Sequence, residues 1–96
     1  MTDPGQSPPA AGRIARLQER LRARFSPLRL TVLDESHLHA GHAGAAQGHG
    51  HFRVTIVAEA FRGMAPIARH RMVYEAVGDL LKTDIHALAI EALPPP

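Results

Sequence analysis

Residues 51–92 read HFRVTIVAEAFRGMAPIARHRMVYEAVGDLLKTDIHALAIEA, and the hydrophobic period changes twice within them. From His51 to Ala58 the apolar residues alternate, with Phe52, Val54 and Ile56 on one side, which is the period of a half-buried strand. From Pro66 to Lys82 the spacing becomes three and four. Ile67, His70, Val73, Tyr74, Val77, Leu80 and Leu81 mark one broad helical face, and proline suits the first helical turn. Ile85 to Ala92 is again short and apolar, bounded by Thr83-Asp84 and by Pro94-Pro95-Pro96, which predicts a third strand. A strand, a helix and a strand in succession predict parallel neighbours joined by a right-handed crossover.

Upstream, Ile14, Leu17, Leu21 and Phe25 recur three and four apart between Arg13 and Phe25, with Arg16, Glu19, Arg20, Arg22 and Arg24 mostly on the other faces. This predicts an amphipathic helix that stops at Ser26-Pro27, because proline disfavours helical geometry in the residue before it. Leu28, Leu30 and Val32 alternate with Arg29, Thr31 and Leu33, which predicts a strand with Leu28, Leu30 and Val32 on one face. Asp34 to Gly50 is a long connection rich in Gly, His and Ala, so the first two strands are expected to form a long-looped antiparallel hairpin. The predicted order is α-β-β-α-β: an α+β fold with a three-stranded mixed sheet and helices on one face. Residues 1–12, rich in Pro, Gly and small residues, are expected to be a flexible tail ahead of a domain at 13–94.

Composition narrows the chemistry. At 96 residues the chain has room for one core, which buries roughly 60–65% of the unfolded surface in a domain of this size. The absence of cysteine removes disulfides, thiolate catalysis and a self-contained Cys-ligated metal or cluster site. Any metal must be held by His, Asp or Glu, or share a partner's thiols. Net charge is only +2, which does not by itself point to nucleic acid. The unusual feature is seven histidines. No apolar run approaches the roughly 20 residues of a membrane span, and Met1-Thr2-Asp3-Pro4 lacks the plan of a secretory signal, so a cytoplasmic location is expected. No nucleophile with a base at a recognised spacing, phosphate loop or cofactor fingerprint is present, and an enzyme is not expected.

Several blocks carry a family likeness: Asp34-Glu35-Ser36 followed by His39-Ala40-Gly41-His42, His51-Phe52-Arg53-Val54, Phe61-Arg62-Gly63, Arg69-His70-Arg71, and Ile85-His86-Ala87-Leu88-Ala89-Ile90. Together they resemble the BolA family, in family order from about Arg13 to Pro94. The resemblance implies a class II KH-like fold, in agreement with the periodicity. It also implies a heterodimer with a monothiol glutaredoxin and a shared [2Fe-2S] cluster, serving cluster delivery and iron regulation. Members differ in whether the loop ligand is Cys or His; without cysteine, this chain resembles the His type.

Two imidazoles can replace two thiolates on one iron of such a cluster. The family block assigns one to His86. The resemblance places the other at His39, with His42 as the alternative, since either lies on a glycine-flanked connection that can swing to a metal at about 2.0–2.1 Å. The second iron would take a glutaredoxin cysteine and a glutathione thiol. His37, His49 and His51 carry no family warrant as ligands. Because free imidazole protonates near pH 6.5, a cluster held this way is expected to be lost as pH falls toward about 5.

Two other functions compete. Some family members act as transcriptional regulators, which makes DNA a second expected partner, with Arg69, His70 and Arg71 as the contact. Against this, Phe61 to Pro66 offers only one glycine where a KH domain uses G-x-x-G. For His70, packing that fixes the helix against the sheet is the favoured expectation over anion contact. Asp34 and Glu35 are expected to order the loop and not to catalyse. The third function is a His-rich carrier of a divalent metal such as zinc or nickel, which needs only the loop histidines.

Overall fold

The computed structural model describes residues 10–35, 50–83 and 85–96. Helix α1 runs Ala10–Phe25, three residues earlier than the expected start. Leu17, Leu21 and Phe25 are buried and Ile14 packs beside them, as their spacing predicts. The helix ends where Ser26 adopts a left-handed backbone with φ 45° and donates its N–H to the Arg22 carbonyl at 3.0 Å. Pro27 follows, and the chain turns into strand β1, Arg29–Asp34.

Strand β1 pairs antiparallel with β2, Gly50–Val57, in a register that sets Arg29 opposite Val57 and Asp34 opposite Phe52. Strand β2 pairs parallel with β3, Ile85–Leu93, giving the sheet order β1-β2-β3. Phe52, Val54 and Ile56 are buried, so the period-two reading of β2 holds. Leu28 departs from expectation. It precedes β1, bonds through its N–H to the Val57 carbonyl at 2.8 Å, and leaves its side chain 64% exposed.

A 3₁₀ turn at Glu59–Phe61 reverses the chain after β2. Phe61 is fully buried with its ring 5.1 Å from that of Phe25, joining the turn to α1. Gly63 takes φ 75°, a conformation that side chains oppose, and the chain enters α2, Pro66–Val77. Proline stands in the first turn, as expected.

The expected helix Pro66–Lys82 is divided in two. Past Val77 the turn tightens, with Leu81 and Lys82 donating to Gly78 and Asp79 three residues back, and a short α3 follows at Leu80–Thr83. Arg20 of α1 supplies the reason. It donates to the Ala76 carbonyl, which a continuous helix would offer to Leu80, and forms a two-nitrogen pair with the Asp79 carboxylate. That hydrogen bond holds the Asp79 carboxyl below its ordinary range. Gly78, a poor helix former, adds to the break.

The broad face assigned to this helix also narrows. Val73, Val77 and Leu80 are buried, whereas Ile67 is 64% and Tyr74 41% exposed, and His70 is exposed as well. Ile67, His70 and Tyr74 occupy the flank of the apolar stripe, beyond the width that one sheet face covers. The core unites Leu17, Leu21 and Phe25 of α1, Val73 and Val77 of α2, and the inward residues of the sheet, so both long helices serve the same sheet face. The architecture is the α+β fold expected, with α3 added.

Candidate metal centre at one end of the sheet

The pairing registers bring three chain positions to one end of the sheet: Asp34-Glu35 at the close of β1, Gly50-His51 at the start of β2 and Ile85-His86 at the start of β3. The Glu35 N–H donates to the His51 carbonyl at 2.7 Å, which extends the hairpin one step beyond β1. Residues 36–49 therefore leave and re-enter the fold at a closed stem. Arg53 donates from Nε to a Glu35 carboxylate oxygen at 3.1 Å and ties the side chain at the loop's exit to β2. Glu35 thus ties the end of β1 to β2, while the connection it was expected to order lies outside the described residues.

Beside this stem the β2–β3 ladder is irregular. Gly50 faces Ile85 and His51 faces Ala87, so His86 is the extra residue of a bulge. Bulges locally unpair and redirect a strand. Ile85 is buried, so a histidine immediately after it stands where the strand passes from core to sheet end. Gly50 starts β2 without a side chain, and a Cβ there would collide with the Phe52 ring.

Of the residues assigned to metal binding, His86 is placed through its backbone, in β3 at the bulge. His39 and His42 lie outside the described residues. Among the described residues no group of three or more His, Asp or Glu is assembled for a metal. His51, set aside in the sequence, stands one strand away from His86. It borders a groove of about 290 Å³ with Glu35, Arg53, Ala87 and Ala89, and its Nε2 is shielded from solvent. Only the register between parallel strands reveals this placement, because 34 residues separate His51 from Ile85.

The Arg69-His70-Arg71 trio divides. Arg69 is half-buried and donates to the Met64 carbonyl at 3.3 Å, bracing the turn before α2. His70 does not pack against the sheet as expected; it is exposed and stacks on Tyr74 of its own helix, ring centroids 5.4 Å apart. With Arg71 and Glu75 these rings line an open groove of about 630 Å³ on the outer side of α2.

Comparison with known proteins identifies the family. The profile of the BolA-like protein family matches residues 21–96. The chain belongs to the BolA family. It is 43% identical over 75 residues to the DNA-binding transcriptional regulator BolA of Escherichia coli, covering 78% of this chain and 69% of that one. It is 42% identical over 85 residues to SufE-like protein 1, chloroplastic/mitochondrial, of Arabidopsis thaliana, covering 83% of this chain but only 23% of the plant protein. The solved BolA domain of SufE1 from Arabidopsis thaliana superimposes with a TM-score of 0.75 at 37% identity, over 93% of this chain and 96% of that one. No helix among the described residues is long and apolar enough to cross a membrane.

Proposed function

We propose that this BolA-family protein is an adaptor that carries a [2Fe-2S] cluster as cargo, shared with a monothiol glutaredoxin and glutathione, in cluster trafficking and iron regulation. The observation that supports the reading most is the convergence of the loop stem and the His86 bulge at one sheet end. His39 stands four residues beyond Glu35, so extended chain carries it about 13 Å. Glu35 and His86 are two strand spacings apart, about 10 Å. His42 has still more reach. Either imidazole can therefore meet a metal at His86 without disturbing the sheet.

The donor chemistry is incomplete in this chain in the way a shared cluster requires. Two neutral imidazoles suit one iron, while the second iron prefers the soft thiolates that a cysteine-free chain lacks. Glutaredoxin and glutathione supply them, and the location is proposed to be cytoplasmic. The test is anaerobic co-purification with a monothiol glutaredoxin, followed by visible and electron paramagnetic resonance spectroscopy. A coloured heterodimer whose spectrum changes on His86→Ala is expected; a spectrum indifferent to that substitution removes the site assignment.

The name of the Escherichia coli relative and the exposed His70 and Arg71 favour a second reading, regulation through DNA. Its contact would be smaller than the sequence suggests, since Arg69 braces its own turn and Glu75 brings negative charge into the groove. A mobility shift of labelled duplex that weakens with salt and with Arg71→Ala would support it.

A further inference from the structure

We infer that the outer side of α2 is a self-complementary seam on which a second copy of this chain docks, its α2 running antiparallel to the first. Val73 and Val77 turn inward to the core, yet the opposite side of the helix carries Ile67, 64% exposed, and Tyr74, 41% exposed, where a surface helix is ordinarily polar. At about 100° per residue, Ile67, Tyr74 and Gly78 fall within about 40° of one another around the axis and form a stripe about 16 Å long. Gly78 belongs to it because the backbone keeps helical angles there, φ −56° and ψ −37°. Arg71 and Glu75 flank the stripe on one side and His70 on the other.

The charges choose the partner. Arg71 and Glu75 have no ion pair among the described residues, and arginine four positions ahead of glutamate is the weaker order for a pair within one helix. Each is left to meet a charge from outside. Because the flank carries one charge of each sign, about 6 Å apart along the axis, it complements a reversed copy of itself. A two-fold axis at the level of Val73 sets each Arg71 beside the second copy's Glu75, two pairs on the same edge of the seam. A parallel pairing would set Arg71 against Arg71 and Glu75 against Glu75, which like-charge repulsion opposes.

The same axis aligns the apolar stripe. The two Tyr74 residues stand about 1.5 Å to either side of it along the helix and meet at the centre. Ile67 stands about 9 Å from the axis and the second copy's Gly78 about 7.5 Å, on the same side, so an exposed isoleucine lands where the facing helix has no side chain. His70 stacks on Tyr74 with ring centroids 5.4 Å apart and holds that ring in place before the second copy arrives, which reduces the ordering entropy lost on association. A seam along one 12-residue helix is small, below about 1,200 Å² in total, and places the dimer among weak, reversible associations.

Sedimentation equilibrium of the full-length chain from about 10 µM to about 1 mM tests this, and the mass should rise from monomer toward dimer across that range. Arg71→Glu or Glu75→Arg alone should weaken association by about tenfold or more, because both reciprocal pairs become repulsive. The double variant should recover it. An equal mixture of the two single variants should form a heterodimer, since one chain then offers two glutamates to the other's two arginines. Ile67→Ser should also weaken the dimer, and far-UV circular dichroism checks that each variant is folded. A chain that stays monomeric at the highest concentration overturns the inference, as does a dimer indifferent to the charge reversals or not recovered by the double variant. A monomer whose shift of labelled duplex, or whose capture of glutaredoxin, falls with Arg71→Glu gives the groove to that partner and overturns it as well.

Discussion

Replacing Phe61 by leucine tests how the 3₁₀ turn is tied to the core. The ring of Phe61 is fully buried and lies 5.1 Å from that of Phe25, with 45° between the planes. Leucine keeps an apolar side chain of smaller size but loses the ring contact, and the expected cost is about 1–2 kcal/mol. Alanine leaves a cavity as well, and its cost rises to about 3–5 kcal/mol. At about 4–8 °C per kcal/mol for a domain of this size, Phe61→Leu should lower the melting temperature by about 5–15 °C. Urea unfolding of wild type, Phe61→Leu, Phe25→Leu and the double variant closes a thermodynamic cycle. The coupling expected for a tilted aromatic pair is about 0.5–1.5 kcal/mol. Strict additivity of the two substitutions would refute the argument that these rings, and not simply their volume, join the turn to α1. The turn adjoins Leu93 at the finish of β3, remote from His86 at its start, so Phe61→Leu should leave any cluster spectrum unchanged.

Asp79→Asn should remove the carboxylate that Arg20 holds ionised. Because the folded carboxyl is depressed, its contribution is complete above the ordinary carboxylate pKa and fades as pH falls through the folded value. The stability difference from wild type should be constant at neutral pH and shrink below about pH 4, as measured by urea unfolding across pH. Val73→Ala should cost about 1–3 kcal/mol, whereas Ile67→Ser and Tyr74→Ser on the exposed flank should each change stability by about 0.5 kcal/mol or less. Equal losses at all three positions would restore the broader buried face. Glu35→Gln should cost under about 1 kcal/mol because its ion pair with Arg53 is partly exposed, and should retain the backbone bond to His51. Acidification of the glutaredoxin complex from about pH 7.5 to 5 should bleach the cluster as the ligand imidazoles protonate, and persistence of the visible spectrum at the lower pH would count against histidine ligation.

Local periodicity made most of the architecture legible. Phe52, Val54 and Ile56 alternate because a strand with one buried face demands it, and Leu17, Leu21 and Phe25 recur at the spacing that brings a helix back to its core. The helical crossover then leaves a parallel β2–β3 pair as the only short solution. Cysteine absence and the ordered family blocks carried the functional expectation further, to His86 and a loop histidine. These are properties of composition and near-neighbour spacing, and a chain displays them before it folds.

Other features depend on groups far apart in the chain. The division of the second helix follows from Arg20 reaching Ala76 and Asp79, a contact across more than fifty residues that no local pattern announces. The exposure of Ile67, His70 and Tyr74 follows from how much of α2 the sheet can cover, which spacing alone does not measure. The same is true of His51. Its sequence neighbours describe an ordinary strand start, and only hydrogen bonding on both sides of β2 sets it between the loop stem and the His86 bulge. Periodicity reports which way a residue faces along its own element; which distant residue it faces is decided when the elements pair.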